Sequence, residues 1–184
     1  MDKQKIEKGI RMVLEAVGAN LKLKDIASTP KRVAAMYEEI LKGQSMDASK
    51  ELEVILEQKH DEIILLKDIP LYSLCEHHLL PFLGKVHVAY IPDKRITGLS
   101  KIARVVDTLA RRLQVQERLT TEIVDVIMKK LKPKGVMVVI EAEHLCMSMR
   151  GVQKAGAITT TSVVRGVFRS NQKTRQEALS LISF

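Results

Sequence analysis

The order of hydrophobic patterns along this chain of 184 residues predicts an α+β fold that is preceded by a helical segment. Over residues 1–60, apolar side chains recur at the spacing of amphipathic helices. From Glu62 onward the pattern becomes strand, strand, helix, helix, strand, strand, helix. Two pairs of antiparallel strands that are separated by helices are typical of an α+β domain. We therefore expect a helical segment at residues 1–60 and an α+β domain at residues 61–184.

The N-terminal segment contains two predicted helices. The first covers residues 3–17 and is ended by Gly18. The second is predicted to begin with Thr29 as its N-cap and Pro30 at its first position, and to run to Gly43. The remaining stretches are predicted to be a connector, a polar loop and a short amphipathic turn or helix: residues 21–28, 44–50 and 51–56.

The α+β domain contains stretches that are rich in β-branched residues, and these predict strands. The predicted strands are residues 63–66, 84–92, 136–142 and 159–168. Polar residues mark the start of each predicted helix: Ser100 before a helix through Leu113, Thr120 or Thr121 before a helix through Leu131, and Ser170 or Asn171 before a helix at residues 175–182.

Composition and charge narrow the class of protein. Aromatic residues make up 3% of the chain and tryptophan is absent, which argues against a surface that stacks nucleic-acid bases. The net charge of +8 indicates an anionic partner or ligand, either nucleic acid or a phosphorylated metabolite. The N-terminus leads into a charged helix rather than a signal sequence, and no apolar run reaches the ~18 residues of a membrane span. We expect a cytoplasmic protein, in which paired cysteines more often bind metal than form disulfides.

Two short stretches each place a cysteine beside a histidine. Cys75 and His78 are three residues apart, and Pro81 prevents a helix from continuing. A tight turn would bring the Cys75 sulfur and the His78 ring to one side, which makes half of a zinc site. Cys146 would supply a third ligand. Zinc with three protein ligands keeps a fourth position for water, which is typical of a catalytic site.

Alternatives remain open for these residues. His77 or His144 would complete a closed, structural zinc site with four protein ligands. The two cysteines would form a disulfide in an oxidising compartment. If His77 and His144 are not ligands, their imidazoles suit acid–base catalysis beside the metal, because imidazole is the side chain whose ordinary charge change lies closest to neutral pH.

Several cations lie where an anion would be bound. Ser100, Lys101 and Arg104 stand at the predicted start of a helix, whose free N–H groups and dipole favour anions. Arg150 closely follows the second metal stretch, so we expect it near the metal, where its planar guanidinium suits phosphate. Arg32 opens the second N-terminal helix in the same anion-friendly way.

Gln116 and Glu117 place an amide and a carboxylate side by side between two predicted helices. An amide both donates and accepts hydrogen bonds, and a carboxylate accepts two. Such a pair is able to read the edge of guanine, whose ring N–H and amine are adjacent donors. A solvated pair in a loop is the alternative.

Taken together, these motifs resemble those of the GTP cyclohydrolase I family. The resemblance covers nearly the whole chain, and the joint set of motifs is highly specific. The matching segments are TPKRVA at residues 29–34, CEHHLLPF at 75–82, GLSKIAR at 98–104, RRLQVQERLT at 111–120, EHLCMSMRG at 143–151 and TTTS at 159–162.

The resemblance implies a tunnelling fold, in which an antiparallel sheet has helices on one face and the subunits join into a toroid. It implies a homodecamer of two pentamers, with active sites at subunit interfaces. The implied reaction converts GTP and water to 7,8-dihydroneopterin triphosphate and formate, the first step of pterin and tetrahydrofolate biosynthesis. It implies no nucleic-acid or membrane partner.

The resemblance also implies roles for single residues. Cys75, His78 and Cys146 would hold zinc (Zn2+), His144 would protonate the imidazole ring of guanine, and His77 would assist in ring opening. The other implied contacts are with the substrate: Gln116 and Glu117 at the guanine edge, Lys101, Arg104 and Arg150 at the triphosphate, Arg32 from another subunit, and Ser100 beside the ribose or phosphates.

Two other functions fit parts of the pattern. A structural-zinc protein with basic faces would bind RNA or DNA, with four protein ligands on its metal and an affinity that falls steeply with salt. A related tunnelling-fold enzyme would act on another purine or pterin, but some of those enzymes lack the Cys/His zinc ligands.

Overall fold

The computed structural model describes residues 1–52 and 55–183, and the chain divides into two compact units. The first unit spans Met1–Lys42 and the second spans Gly43–Phe184. The first is helical, whereas the second is organised around one large sheet. In the described part of the chain, no helix is both long and apolar enough to cross a lipid bilayer.

The first unit consists of the helices α1 (Lys3–Ala16), α2 (Lys24–Ala27) and α3 (Thr29–Ile40). The Asp2 carboxylate caps α1 by accepting a hydrogen bond of 2.9 Å from a backbone N–H of the first turn. α1 packs against α3, and Lys3 Nζ lies 2.9 Å from Glu38 Oε2. The predicted helix at residues 3–17 is confirmed, and Gly18 follows it with a φ of +78°.

The strands of the second unit are β1 (Ile55–Glu57), β2 (Ile64–Cys75), β3 (Pro81–Ile91), β4 (Arg95–Thr97), β5 (Leu113–Gln114), β6 (Gly135–His144) and β7 (Ile158–Gly166). A five-stranded sheet has the order β5-β2-β3-β6-β7, and β1 pairs separately with β4. The ladder from β2 to β7 is antiparallel, whereas β5 runs parallel to the end of β2. The predicted strands are confirmed as β2, β3, β6 and β7, while β1, β4 and β5 are too short to show a pattern.

The helices of the second unit are α4 (Leu99–Ala110), α5 (Gln116–Leu131), α6 (Leu145–Ser148), α7 (Val167–Ser170) and α8 (Gln172–Ser183), and 3-10 helices lie at Lys42–Ser45 and Ala48–Leu52. α4 and α5 cover one face of the sheet, where Val88 and Ile140 are fully buried. Phe168 of α7 and Ala178 of α8 pack against Met137 on the opposite face. β3 and β6 are apolar at successive positions, so both faces need a cover, and helices do not lie on one face alone.

Two helices begin at other residues than the sequence pattern predicts. α4 has Gly98 as its N-cap, so Ser100 lies within the first turn and does not cap it. α5 begins at Gln116, before the predicted caps Thr120 and Thr121. The Thr120 hydroxyl donates to the Gln116 carbonyl oxygen at 2.6 Å, and this bond satisfies the polar side chain inside the helix. The Gln-Glu pair therefore opens a helix instead of lying in a loop.

The N-terminal caps of two further helices lie at the predicted residue or next to it. Ser28, and not the predicted Thr29, is the N-cap of α3, and Thr29 is its first residue. Asn171 precedes α8 as predicted, and its Oδ1 accepts hydrogen bonds from two backbone N–H groups at 2.9 and 3.2 Å. The turn or helix predicted at residues 51–56 falls partly on positions 53 and 54, which lie outside the described residues.

Candidate metal centre and active site

The turn between β2 and β3 builds the first half of the metal centre. Cys75 is the last residue of β2, and Pro81 begins β3. The Leu79 N–H donates to the Cys75 carbonyl oxygen, and the Cys75 N–H donates to the Leu80 carbonyl oxygen, each at 2.9 Å. This turn brings His78 Nδ1 to 3.8 Å from Cys75 Sγ. The spacing of the two residues is therefore that of a pair of ligands on one side of a turn.

Cys146 reaches the same place because β6 runs antiparallel to β3 and ends beside the first residues of that strand. His144, the last residue of β6, pairs with Phe82, and Cys146 follows in α6. The ligand atoms of Cys75, His78 and Cys146 lie within 4.8 Å of one another. Side chains that are far apart in sequence thus form one group that is able to hold a metal ion.

The separation of Cys75 Sγ and His78 Nδ1 is close to that in a tetrahedral metal site. With Zn–S bonds of ~2.3 Å and Zn–N bonds of ~2.05 Å, tetrahedral angles put a sulfur about 3.6 Å from a nitrogen and about 3.8 Å from a second sulfur. The observed separation of Cys75 Sγ and His78 Nδ1 is 3.8 Å. Two thiols and an imidazole favour zinc over magnesium or calcium. Within residues 1–52 and 55–183, no fourth ligand of these types joins the group, which leaves a coordination position open.

The surroundings of Cys146 change the pKa of its thiol. Burial raises its pKa above the ordinary value, the neighbouring Cys75 adds to this rise, and Arg150 opposes it. A bound cation acts in the opposite direction, because metals bind the thiolate form. Metal binding at this site is therefore expected to release protons.

His144 is half-buried and lies two residues before Cys146. Its ring stacks on Phe82, with the ring centroids 4.8 Å apart and the planes inclined by 6°. Its Nε2 atom lies 2.7 Å from Gln116 Oε1. Burial lowers the pKa of His144 below its ordinary value, and the negative charge of Glu117 partly offsets this effect. The His144 ring is therefore held by the stacking contact with Phe82 and by the hydrogen bond to Gln116.

Gln116 and Glu117, which the sequence presents as a pair, have different surroundings. Gln116 is 1% exposed, and its amide nitrogen lies within hydrogen-bonding distance of protein oxygens on β6 and β7. Glu117 is exposed in the first turn of α5. The guanine-reading role of the pair stays a prediction, and of the two side chains only that of Glu117 faces solvent.

His77 lies beside His78 in the turn, and both histidines are exposed. The side chain of His77 is 64% exposed, and its Nε2 atom lies 3.7 Å from Glu76 Oε1. Its ring meets the ring of His78 edge to face, with centroids 6.3 Å apart. His77 is not part of the group of ligand atoms.

An ion pair that sequence reasoning missed anchors the metal turn to α5. The Arg118 guanidinium pairs with the Glu76 carboxylate, and it donates to the side-chain oxygen of Gln114 and to the Leu113 carbonyl oxygen at 3.0 Å each. Arg118 thereby lowers the pKa of the Glu76 carboxyl. Both partners adjoin predicted site residues in the sequence, and this adjacency is the one signal that pointed to them.

The predicted anion-binding residues divide into two groups. Arg150 Nη1 lies 3.4 Å from His78 Nε2, so this guanidinium is at the metal centre. Ser100, Lys101 and Arg104 lie in the first two turns of α4, and Arg32 is exposed on α3 of the first unit. The side chains of this second group have no hydrogen bond or ion pair with another described residue. Their polar groups are therefore not used by other residues in the described part of the chain.

Comparisons with known proteins point to one family. The sequence model of GTP cyclohydrolase I matches residues 6–183. The GTP cyclohydrolase 1 of Carboxydothermus hydrogenoformans is 59% identical over 183 residues, which cover 99% of this chain and 95% of that protein. The protein of the same name from Pelotomaculum thermopropionicum is 58% identical over 182 residues, with 98% and 97% covered. That of Clostridioides difficile is 54% identical over 185 residues, with 100% and 97% covered.

Proposed function

Since the chain belongs to the GTP cyclohydrolase I family and is an enzyme, we propose that it converts GTP and water to 7,8-dihydroneopterin triphosphate and formate with the help of zinc. The observation that carries the proposal is the group of Cys75, His78 and Cys146, with the fixed ring of His144 two residues from Cys146. A metal with an open position beside an imidazole suits the hydrolysis of a cyclic amidine such as the guanine imidazole ring. The product would enter pterin and tetrahydrofolate biosynthesis.

The metal would be held by two sulfurs and one imidazole nitrogen, from Cys75, Cys146 and His78. When bound, zinc supplies a water of lowered pKa for attack on C8 of guanine. Two thiolates neutralise the charge of the ion, so the chain needs an acid–base group of its own beside the metal. The imidazoles of His144 and His77 are the groups that we assign to this task.

His144 is the proposed acid at N7 of guanine. A proton on N7 draws electrons from C8 and makes that carbon more open to attack by water. Glu117 is the proposed partner of the ring N–H and amine of guanine, which its exposed carboxylate is able to accept together. The sequence paired Gln116 with Glu117 in this contact; we assign the guanine edge to Glu117, because the Gln116 amide is already bonded inside the protein.

The later steps are assigned to the exposed groups of the site. His77 would carry protons while the imidazole ring opens and formate leaves, since its side chain is 64% exposed and is not one of the grouped ligands. Ser100, exposed at the start of α4, would lie beside the ribose or the phosphates while the sugar rearranges and closes on the pyrimidine amine.

The triphosphate would be bound by separate cations. It carries about four negative charges, so several guanidinium and ammonium groups are needed in one pocket. We assign Arg150 at the metal centre, Lys101 and Arg104 on α4, and Arg32 from another subunit. A shared anionic ligand of this kind also accounts for part of the net charge of +8.

We further propose that the α+β unit has the tunnelling fold, with α7 and α8 added on the second face of its sheet. Residues 61–184 would be the catalytic domain and residues 1–60 a helical segment. The working form would be a cytoplasmic homodecamer of two pentamers. β7 is an edge strand of the five-stranded sheet, so its outer hydrogen-bonding groups are able to pair with another copy. Tyr72 and Ile158 are 72% and 59% exposed, which supports their burial between subunits.

The test incubates the purified protein with GTP, with and without a tight zinc chelator, and measures formate together with oxidised-pterin fluorescence. We expect both products, their loss with chelator, and their return when zinc is added. Formate without a pterin would mean that the ring opens but the rearrangement fails. Neither product from a folded, zinc-loaded oligomer would refute the proposed function.

A further inference from the structure

The side-chain amide of Gln116 has a protein partner for each of its polar atoms. Its Nε2 lies 3.0 Å from the carbonyl oxygens of Ile140 and Thr159, and 3.1 Å from Thr161 Oγ1. Its Oε1 lies 2.7 Å from His144 Nε2. With 1% of the residue exposed, the amide is part of the interior and does not face a ligand.

Two backbone carbonyls determine which way this amide faces. Carbonyl oxygens only accept hydrogen bonds, so Ile140 and Thr159 require the N–H groups of Gln116. If the amide turned over, its oxygen would face two carbonyl oxygens and both hydrogen bonds would be lost. The positions of oxygen and nitrogen, which are often ambiguous in glutamine, are therefore fixed here by the neighbours.

A pair of threonine hydroxyls supports the same orientation. Thr120 Oγ1 donates its single proton to the Gln116 carbonyl oxygen at 2.6 Å. It must therefore accept from Thr161 Oγ1, which lies 2.7 Å away. With its own proton used in this way, Thr161 Oγ1 is a third acceptor for Gln116 Nε2, whose two N–H groups are shared among three oxygens. The three residues close a ring of hydrogen bonds that has one direction of donation.

The remaining contact determines where His144 carries its proton. Gln116 Oε1 has no proton to give, so the 2.7 Å contact is a hydrogen bond only if Nε2 of His144 is the donor. The stack on Phe82 holds the plane of the ring. When neutral, a ring with its proton on Nε2 has Nδ1 as an acceptor, and when protonated it has Nδ1–H as a second donor.

We propose that Gln116 is a positioning residue, which accepts a hydrogen bond from His144 Nε2–H and thereby leaves Nδ1 as the ring nitrogen that meets the substrate. The inference rests on the proposed function for the identity of that substrate, but the state of the ring follows from the contacts alone. Gln116 acts through His144 and does not touch GTP. Without the amide, the ring is free to take either tautomer and to turn, so the acid is correctly presented for only part of the time.

The first test measures the His144 tautomer in the full-length, metal-loaded protein. Nitrogen-15 solid-state NMR of protein with labelled histidine, at alkaline pH where imidazoles are neutral, distinguishes the two ring nitrogens. The chain has five histidines, and a His144→Gln variant identifies the signals of His144. We expect the proton on Nε2. A proton on Nδ1 in the wild-type protein would overturn the proposal, whatever the protein does with GTP.

A second test removes the amide and uses a matched control. Gln116→Met keeps the length of the side chain, and we expect a mixture of His144 tautomers. The control is Gln114→Met: Gln114 is also 1% exposed, but its amide bonds to the Leu109 carbonyl oxygen, Glu122 and Arg118, and not to His144, and the zinc content of this variant is checked against wild type. This control should leave the His144 signals unchanged. If Gln116→Met leaves them unchanged too, the positioning role is wrong; if that variant does not fold, the wild-type spectrum decides.

Steady-state kinetics separates positioning from substrate binding. A general acid contributes ~10²–10⁴-fold to a rate, so we expect Gln116→Met to lower kcat by about 10- to 100-fold and to change KM for GTP by less than about twofold. A raised KM with an unchanged kcat would mean that Gln116 holds guanine, and would overturn the proposal. A wild-type protein that forms no formate from GTP would refute the proposed function but leave the NMR result intact.

Discussion

Replacing Gly84 with alanine is expected to damage the active site from within the sheet. Gly84 lies in β3 opposite Ala142 of β6. A Cβ added here would lie 1.9 Å from the Glu141 carbonyl oxygen and 2.7 Å from Ala142 Cα. Both contacts are with backbone, which has no rotamer to change. To reach a separation of 3.0 Å, the strands must part by about 1.1 Å.

This displacement falls on the strand that carries the catalytic candidates. The pair Phe82–His144 is two residues along the same ladder, and Cys146 follows directly. Overpacking costs roughly 1–3 kcal/mol and a lost hydrogen bond about 1 kcal/mol, so the free energy of unfolding should fall by about 2–4 kcal/mol. Because a shift of ~1 Å at the reacting groups costs ~10²-fold, we expect kcat/KM to fall about 100-fold.

The assay combines urea unfolding, zinc content and steady-state formate production. The matched control is Gly9→Ala in α1, where an added Cβ meets nothing within 4 Å. This control should stabilise the protein by about 0.5–1 kcal/mol and leave kcat/KM unchanged. A Gly84→Ala protein with stability within about 0.5 kcal/mol of wild type and an unchanged kcat/KM would refute the argument from strand spacing.

The remaining predictions concern the metal, its anchor and the substrate. Cys146→Ser should lower the zinc content measured after dialysis, and adding zinc to the metal-free wild-type protein should release protons, as followed by calorimetry in buffers of different ionisation enthalpy. Because Arg118 lowers the pKa of Glu76, their ion pair stabilises the folded protein above the ordinary glutamate pKa, and this contribution is lost as the pH falls through the lowered value. Arg118→Met should therefore flatten the acid side of the stability curve, and an unchanged curve would count against the anchor. Glu117→Gln should raise KM for GTP by about tenfold or more while the zinc content stays the same; an unchanged KM would remove Glu117 from the guanine edge.

The grouping of Cys75, His78 and Cys146 could be predicted because its signals are chemical and short-range. Cys75 and His78 lie on one turn, and Pro81 excludes the competing helix. The position of Cys146 depends on the pairing of β6 with β3, which spacing alone does not give, but the few residue types that bind zinc made it the natural third ligand. The residue type of Cys146 thus predicted a contact that its sequence spacing does not.

The surroundings of Gln116 could not be predicted, because its partners come from distant strands. The carbonyl oxygens of Ile140 and Thr159 meet its amide only after the sheet has formed. The start of α5 was mispredicted for a related reason, since Thr120 and Thr121 have the composition of caps but bond back to carbonyls of their own helix. The helices on the second face of the sheet were predictable, because β3 and β6 carry apolar residues at successive positions and both of their faces must be buried.

The most direct measurement of the central claim is a zinc titration of the metal-free protein with product formation as the readout. Increasing amounts of zinc are added, the bound metal is quantified, and formate and dihydroneopterin triphosphate are measured from GTP at each step. The account predicts equal amounts of the two products, with a rate that rises in proportion to bound zinc and saturates at one ion per chain. Full activity before any metal is bound, or one zinc per chain with no product, would contradict it.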